Sequence, residues 1–196
     1  MRKVVLLMHV SLDGFVGGPN GEMDWIHVDD EMFDTVGKLT DEADTAIYGR
    51  VTYEMMESYW PTAAEQPTAT KHDIEHSNWV NAAVKIVISR TLKETDPIVI
   101  GWNNTRIIHD NLPAEIQKLK QQPGKNLLMI GSPSTVHSFM QYGLIDEYRL
   151  YINPVILGNG IPLFKGIKDR INLKLIESKT FNAGVVRLHY EAKHNY

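Results

Sequence analysis

Four short segments rich in glycine and hydroxyl-bearing residues stand where predicted strands end. They are Ser11–Gly14 after Val4–Val10, Gly49–Thr52 after Thr45–Tyr48, Ser89–Thr91 after Val84–Ile88, and Gly131–Ser134 after Leu127–Ile130. In an open α/β sheet, ligands bind outside the carboxyl ends of the strands. A helix that begins there offers unpaired N–H groups and the positive end of its dipole to a phosphate. The spacing therefore predicts an α/β enzyme that holds a phosphorylated cofactor at this edge of the sheet.

Two of these segments carry cationic side chains, and each also has a simpler explanation. Arg50 and Thr52 would form an anion cradle beside a helix start, whereas Gly49 alone fits an ordinary strand-to-helix turn equally well. Taken alone, Ser89 and Arg90 are better explained as the solvated end of a strand. In company with the first cradle they could hold a second phosphate.

Other candidate residues carry weaker signals. Gly131–Pro133 is fully explained as a helix start, in which the glycine would also let a ligand approach the backbone. Trp25 closes a glycine-rich loop and could cover a planar ligand or pack in the core. Asp29–Glu31 open a helix, where acids stabilise the dipole. His72 and His76 have the spacing of a metal pair, but without a third ligand nearby we interpret them as a solvated surface.

The composition limits the classes of function. The 196 residues, 43% of them hydrophobic, predict one globular domain spanning residues 1–196. A net charge of −4 without a basic tail argues against nucleic-acid binding. No apolar run approaches the roughly 20 residues that span a bilayer. The apolar run after Met1 ends at Val10, which favours a strand over a signal peptide. Zero cysteines exclude disulfides and thiolate sites, so we expect a cytoplasmic protein that binds no metal.

The elements that must position these residues alternate between strand and helix, which predicts a largely parallel central sheet with helices on both faces. The predicted strands of this part are Lys3–Val10, Asp44–Tyr48, Ala83–Ser89, Arg106–His109 and Leu127–Ile130. The predicted helices are Asp29–Leu39, Val51–Tyr59, one that starts near Pro113, and Ser134–Tyr142, which Gly143 ends. Thr62–Ser77 is predicted as loop with a short helix.

After Asp146 the pattern changes. The predicted strands Tyr148–Val155, Leu173–Phe181 and Val185–Ala192 have no helices between them, which predicts an antiparallel end to the sheet. The three residues 182–184 form a hairpin loop between the last two strands.

These motifs, in this order, resemble a known family. Ser-Leu-Asp-Gly, Gly-Arg-x-Thr-Tyr-Glu, Ile-Gly-Ser-Pro, Gly-Leu-Ile-Asp-Glu and Asn-Pro-Val-Ile-Leu-Gly-Asn-Gly-Ile-Pro-Leu-Phe resemble the dihydrofolate-reductase-like family. The closer resemblance is to the C-terminal reductase domain of the bifunctional riboflavin-biosynthesis deaminase-reductase, and it covers Val4–Ala192. The motifs Gly143–Glu147 and Asn153–Phe164 are the most specific. The resemblance implies a dihydrofolate-reductase-like α/β fold, NADPH as cofactor, and a homodimer.

The resemblance also implies a set of site residues. Its cofactor-binding positions are Val10, Trp25, Gly49, Arg50, Thr52, Ser89, Arg90, Gly131, Ser132 and Ser134. Of these, Ser89 and Arg90 would lie near the adenosine 2′-phosphate. We take Asp13 as the first candidate for orienting the substrate or relaying a proton, followed by Asp24 and Asp30.

The chain departs from the riboflavin-type pattern on the substrate side. Ile130 stands where the riboflavin-type pattern has an acidic residue that contacts the substrate, and Ser132 stands where that pattern has a glycine. We therefore expect an NADPH-dependent reductase of a small heterocyclic or carbonyl substrate. The alternatives are a true riboflavin-pathway or folate reductase, and a non-catalytic nucleotide-binding protein on the same fold.

Overall fold

The centre of the molecule is an eight-stranded sheet, seen in a computed structural model that describes residues 1–193. Its strands, in spatial order, are β5 (Thr105–Ile108), β4 (Val84–Ile88), β3 (Ala43–Gly49), β6 (Asn126–Met129), β1 (Val4–Ser11), β7 (Glu147–Asn153), β10 (Val186–Ala192) and β9 (Leu173–Thr180). The first six are parallel, and β10 is antiparallel to both of its neighbours. The predicted α/β class with an antiparallel C-terminal end is confirmed.

Helices cover both faces of this sheet. They are α1 (Asp30–Asp41), α2 (Arg50–Glu57), α3 (Lys71–Ala82), α4 (Pro97–Gly101), α5 (Leu112–Gln121) and α6 (Pro133–Gln141). Alternate residues of β1 point to opposite faces, as strand geometry requires. Leu6 and Met8 join the core beneath α5 and α6, whereas Val5 and Leu7 join the core beneath α1.

A short two-stranded ribbon lies outside the main sheet. It pairs β2 (Phe15–Gly17) antiparallel with β8 (Ile161–Pro162). Neither strand is predicted from the sequence, because two or three residues are too few to show an alternating pattern. The ribbon joins the loop after β1 to a segment near the C-terminus.

The prediction of loop with a short helix over Thr62–Ser77 underestimates the helix, which extends beyond this range to Ala82. Helix α3 occupies twelve residues from Lys71, and a capping box between Thr70 and Asp73 fixes its start. Its buried face includes the polar residues His76 and Ser77, so no apolar stripe marks the helix in the sequence.

The interpretation of His72 and His76 as a solvated surface is also wrong for His76. That side chain is buried, with its ring centroid 4.2 Å from the Trp60 ring and 5.3 Å from the Trp79 ring. Trp79 belongs to α3 itself, whereas Trp60 comes from the segment before it. Burial lowers the pKa of His76 to about 4, so the imidazole is neutral near pH 7.

Two fully buried tyrosines differ in their hydrogen bonds, and this difference predicts opposite effects of one substitution. The Tyr53 hydroxyl donates to the Ile98 carbonyl oxygen (3.0 Å) and lies 3.1 Å from Thr105 Oγ1, whereas the Tyr48 hydroxyl has no partner within residues 1–193. We expect Tyr48→Phe to raise the free energy of unfolding by about 1 kcal/mol and Tyr53→Phe to lower it by about 1 kcal/mol. Urea unfolding of the two variants measures both values, and a Tyr48→Phe protein less stable than Tyr53→Phe would contradict the assignment.

Candidate functional site

Two helices begin side by side at the carboxyl edge of the sheet. Gly49 ends β3 and is the N-cap of α2, while Ser132 follows β6 and is the N-cap of α6. Strands β3 and β6 are neighbours, so the two helix starts are adjacent. Neither N-cap makes a side-chain capping hydrogen bond within the described chain. The first N–H groups of both helices are thus available to an anionic ligand.

Glycine is required where the two helix starts meet. The Gly49 N–H donates to the Gly131 carbonyl oxygen at 3.1 Å. A Cβ at position 49 would lie 2.1 Å from Ser132 Oγ and 2.3 Å from Thr135 Oγ1. Gly131 has φ of 105°, which favours glycine. The two glycines therefore serve first to bring the protein's own segments together.

An open cavity of about 370 Å³ lies directly beside these helix starts. Its walls come from the end of β1, the loop after β1, helix α2, the turn after β6, and β8. The lining residues are Leu7, Met8, His9, Val16, Gly17, Gly21, Met23, Ile26, Val51, Thr52, Met55, Met56, Ile130, Gly131, Ser132, Pro133 and Ile161. Most of these side chains are apolar, and four are methionines, which adapt to differently shaped ligands. Such a cavity suits a small, largely apolar molecule.

Three of the predicted cofactor residues line this cavity together. They are Thr52, Gly131 and Ser132, and Ile130 joins them in the wall. The exposed Ser134 is close, with its hydroxyl oxygen 3.4 Å from Ser132 Oγ. Thr52 and Ser132 place hydroxyl groups where the helix starts meet the apolar wall.

The other predicted cofactor residues lie further along the edge or in the core. Arg50 is exposed, and its Nη1 donates to Glu54 Oε1 at 2.7 Å. Ser89 Oγ accepts hydrogen bonds from the backbone N–H groups of Thr91 and Leu92, so it stabilises a turn. Arg90 is exposed and forms no ion pair with residues 1–193. Val10 and Trp25 are buried, and the Trp25 Nε1 donates to the Glu22 carbonyl oxygen at 3.0 Å.

Asp13 holds two segments of backbone together. Its carboxylate accepts hydrogen bonds from Ser11 Oγ (2.7 Å), the Leu157 N–H (3.1 Å) and the Gly158 N–H (2.7 Å). The Ser11 hydrogen bond, with those from the backbone N–H groups, holds the pKa of Asp13 below its usual value. Asp13 does not line the cavity, and its contacts tie the loop after β1 to residues 157–158.

The structure does not bring the three acidic candidates together. Asp24 is exposed on the loop after β1. Asp30 is exposed at the start of α1 and lines a separate depression with Lys71 and His72. Asp29, just before it, caps α1 by accepting from the Met32 N–H at 2.8 Å.

The sequence analysis missed His9, which lines the cavity. Its ring stacks on Tyr151 with centroids 5.1 Å apart, and its Nδ1 lies 3.4 Å from the amide nitrogen of Asn153. Burial lowers the pKa of His9 to about 4. The signal that could have revealed it is an ionisable residue inside the otherwise apolar run Val4–Val10.

Within residues 1–193, no group of three or more histidine and acidic side chains could hold a metal ion. None of the helices in the same range is both long and apolar enough to cross a membrane.

Comparison with known proteins identifies a family for nearly the whole chain. The sequence model of the family described as the RibD C-terminal domain matches residues 2–187. A Bacillus subtilis (strain 168) protein, named uncharacterized protein YyaP, is 40% identical over 191 residues, which are 96% of this chain and 94% of YyaP.

Two solved structures share the fold. A Shewanella sp. PV-4 protein, provisionally described as a riboflavin biosynthesis protein, aligns over 99% of this chain and 100% of its own, with a TM-score of 0.73 and 24% identity. A Thermotoga maritima diaminohydroxyphosphoribosylaminopyrimidine deaminase/5-amino-6-(5-phosphoribosylamino)uracil reductase aligns with a TM-score of 0.67 and 13% identity. The alignment covers 98% of this chain but 57% of the Thermotoga protein, so the shared fold corresponds to part of that larger enzyme.

Proposed function

The chain belongs to the RibD C-terminal domain family, and on that premise we propose that it is an NADPH-dependent reductase of a small heterocyclic or carbonyl substrate. The observation that carries the proposal is the pair of adjacent helix starts opening beside an apolar cavity. A dinucleotide-dependent reductase needs both features, because the cofactor phosphates are anionic and the nicotinamide ring must meet the substrate in a cavity from which water is excluded.

The residues at this edge of the sheet fit such a cofactor. The N–H groups at the starts of α2 and α6 would hold its phosphates, with Thr52 and Ser132 adding hydroxyl groups. When bound, the reduced nicotinamide supplies a hydride. The methionines and isoleucines of the cavity would exclude water, and the loop after β1, fastened by Asp13, would keep the cavity wall in place. A proton-relay role for Asp13, Asp24 or Asp30 stays a prediction.

Arg90 is the residue that we expect to distinguish NADPH from NADH. Its guanidinium is exposed, has no ion-pair partner among the described residues, and can bind a phosphate through two hydrogen bonds. We expect NADPH to bind at least about tenfold more tightly than NADH, which corresponds to roughly 1.4 kcal/mol. Arg90→Ala should remove most of this difference. Calorimetric titration with both cofactors tests this, and Arg106→Ala, which changes an arginine on β5 already paired with Glu115, is the matched control. Equal dissociation constants in the unmodified protein would count against the proposal.

Ile130 argues against the riboflavin-pathway alternative. Its side chain lines the cavity and cannot accept hydrogen bonds from a polar pyrimidine with a ribosyl phosphate group. Each unpaired polar group on a buried ligand costs roughly 1–3 kcal/mol. We therefore expect the ribosylaminopyrimidine phosphate to be reduced with a kcat/KM well below the ordinary enzyme range, which begins near roughly 10⁴ M⁻¹s⁻¹. NADPH oxidation followed with this compound and with uncharged carbonyl compounds measures the difference. Efficient reduction of the ribosylaminopyrimidine phosphate would favour the riboflavin-pathway alternative instead.

Three further expectations stay predictions. The same turnover measurement, with dihydrofolate added to the compounds, separates a folate reductase and a non-catalytic nucleotide-binding protein from the proposed reductase. The homodimer is supported by the exposed apolar side chains Ile156 and Phe164 that flank β8. The cytoplasmic location rests on the absence of cysteine from the sequence.

A further inference from the structure

The side-chain amide of Asn153 has a defined orientation. Asn153 is fully buried, and its Oδ1 lies 2.9 Å from the backbone nitrogen of His27. A backbone N–H can only donate, so the amide oxygen must face His27. The amide nitrogen therefore faces the other way, where it donates to the Tyr151 carbonyl oxygen at 3.0 Å and lies 3.4 Å from Nδ1 of His9.

This orientation determines which nitrogen of His9 carries the proton. The Asn153 amide nitrogen can only donate, so Nδ1 of His9 must accept. The proton of the neutral ring consequently lies on Nε2. Burial supports the neutral form by lowering the pKa of His9 to about 4, and a proton on Nδ1 would face the donor amide of Asn153.

Nε2 is the nitrogen that remains for a ligand. It forms no hydrogen bond with the described residues, and it belongs to a side chain that lines the cavity. His9 is the one ionisable residue among those that line this cavity in the described chain. No side chain of the lining offers an opposite charge to a charged ligand, and in the proposed function the cofactor phosphates take the helix starts beside the cavity. An uncharged ligand with an acceptor atom would meet a fixed donor.

We propose that Nε2–H of His9 donates a hydrogen bond to an acceptor atom of the substrate, and that this substrate is uncharged and largely apolar. The acceptor is a carbonyl oxygen or an unprotonated ring nitrogen. Asn153 acts as a positioning residue because it fixes the ring and its tautomer. This inference rests on the proposed function, since it takes the cavity as the substrate site of the reductase.

Two probes of nearly the same shape test the proposal by equilibrium dialysis without cofactor. Menadione carries two carbonyl oxygens, 2-methylnaphthalene carries none, and the lack of cysteine in the chain excludes thiol adducts with the quinone. We expect the unmodified protein to bind menadione at least tenfold more tightly than the hydrocarbon. This preference should be the same from pH 5.5 to pH 8. 2-(Aminomethyl)naphthalene, which has nearly the shape of the hydrocarbon and is positively charged near pH 7, should bind at least tenfold more weakly than menadione.

Two variants of His9 separate hydrogen bonding from packing. His9→Phe keeps an aromatic ring against Tyr151 and removes the donor, so it should lose the preference for menadione while its affinity for the hydrocarbon stays within twofold. His9→Gln offers an amide donor and should retain part of the preference. Thermal unfolding shows whether each variant is folded. The comparison of menadione with 2-methylnaphthalene in the unmodified protein does not depend on either variant.

Equal binding of menadione and 2-methylnaphthalene by the unmodified protein would overturn the proposal, as would a His9→Phe protein that keeps the preference. Failure of the proposed function has a different signature, which is the lack of any preference for NADPH over NADH. Because the dialysis uses no cofactor, either result can occur without the other.

Discussion

Gly49→Ala should abolish tight NADPH binding and lower the free energy of unfolding by about 2 kcal/mol, within the range measured for overpacked sites. Gly49 has φ of −81° and ψ of 163°, which alanine adopts without strain, so the effect is steric. The added Cβ would overlap Ser132 Oγ and Thr135 Oγ1, which lie 2.1 and 2.3 Å from its position. To relieve the overlap, the two hydroxyls must rotate away or the first turn of α6 must shift, and either change disturbs the groups that would hold the phosphates at the two helix starts.

Gly37→Ala is the matched control. Gly37 lies inside α1, and apart from the adjacent residues and the backbone of α1 itself, no atom lies within 4 Å of the position that its Cβ would take. Alanine there should raise the free energy of unfolding by about 0.5–1 kcal/mol, because glycine is the poorer helix residue. Urea unfolding and calorimetric titration with NADPH compare the two proteins. A Gly49→Ala protein that binds NADPH like the Gly37→Ala protein would disprove the role given to this contact.

Glu147→Gln should lower the free energy of unfolding by about 3–5 kcal/mol, the range typical of a buried ion pair that loses one partner. Glu147 is 8% exposed and joins two cationic side chains and a histidine from three strands or their flanks. Its carboxylate accepts from Lys3 Nζ at 2.7 Å and Arg149 Nη2 at 2.9 Å, and it lies 3.0 Å from His189 Nε2. The amide would leave the largely buried Arg149 guanidinium without its counter-charge. Glu54→Gln, which breaks the exposed pair with Arg50, should cost no more than about 0.5 kcal/mol.

The difference between the unmodified protein and Glu147→Gln should depend on pH. Burial raises the pKa of Glu147, but the Lys3 hydrogen bond and the Arg149 charge outweigh it, so the pKa lies below its usual value of 4.5. A carboxyl group whose pKa is lowered by folding stabilises the protein above the unfolded pKa and loses that contribution as the pH falls through the folded value. Urea unfolding should therefore give the full difference at pH 7 and a smaller one below pH 4.5. A difference that grows in acid would show that the ion pairs at Glu147 are not its source.

The helix starts at the carboxyl edge of the sheet can be predicted from local sequence, because glycine and proline mark them directly. Gly49 and Pro133 do so for α2 and α6, and the capping residue Asp29 marks the start of α1 in the same local way.

Helix α3 cannot be predicted in this way, since its buried face presents histidine and serine rather than an apolar stripe. Nor can the role of His9, which depends on Asn153, a residue 144 positions away in the sequence. Asp13 shows the reverse error, because a polar residue after a strand proved to be engaged by backbone N–H groups from residues 157–158.

The position of β1 in the sheet has a consequence for how the chain acquires its structure during synthesis. This apolar strand is synthesised before both of its neighbours, β6 and β7, which belong to residues 126–153. Until those residues emerge, the backbone N–H and C=O groups along both sides of β1 have no strand partner in the native sheet. Non-local pairing of this kind slows folding and exposes unpaired strand edges to aggregation. The native pairing of β1, and with it the part of the cavity wall that β1 supplies, therefore forms only after residues 126–153 have been made.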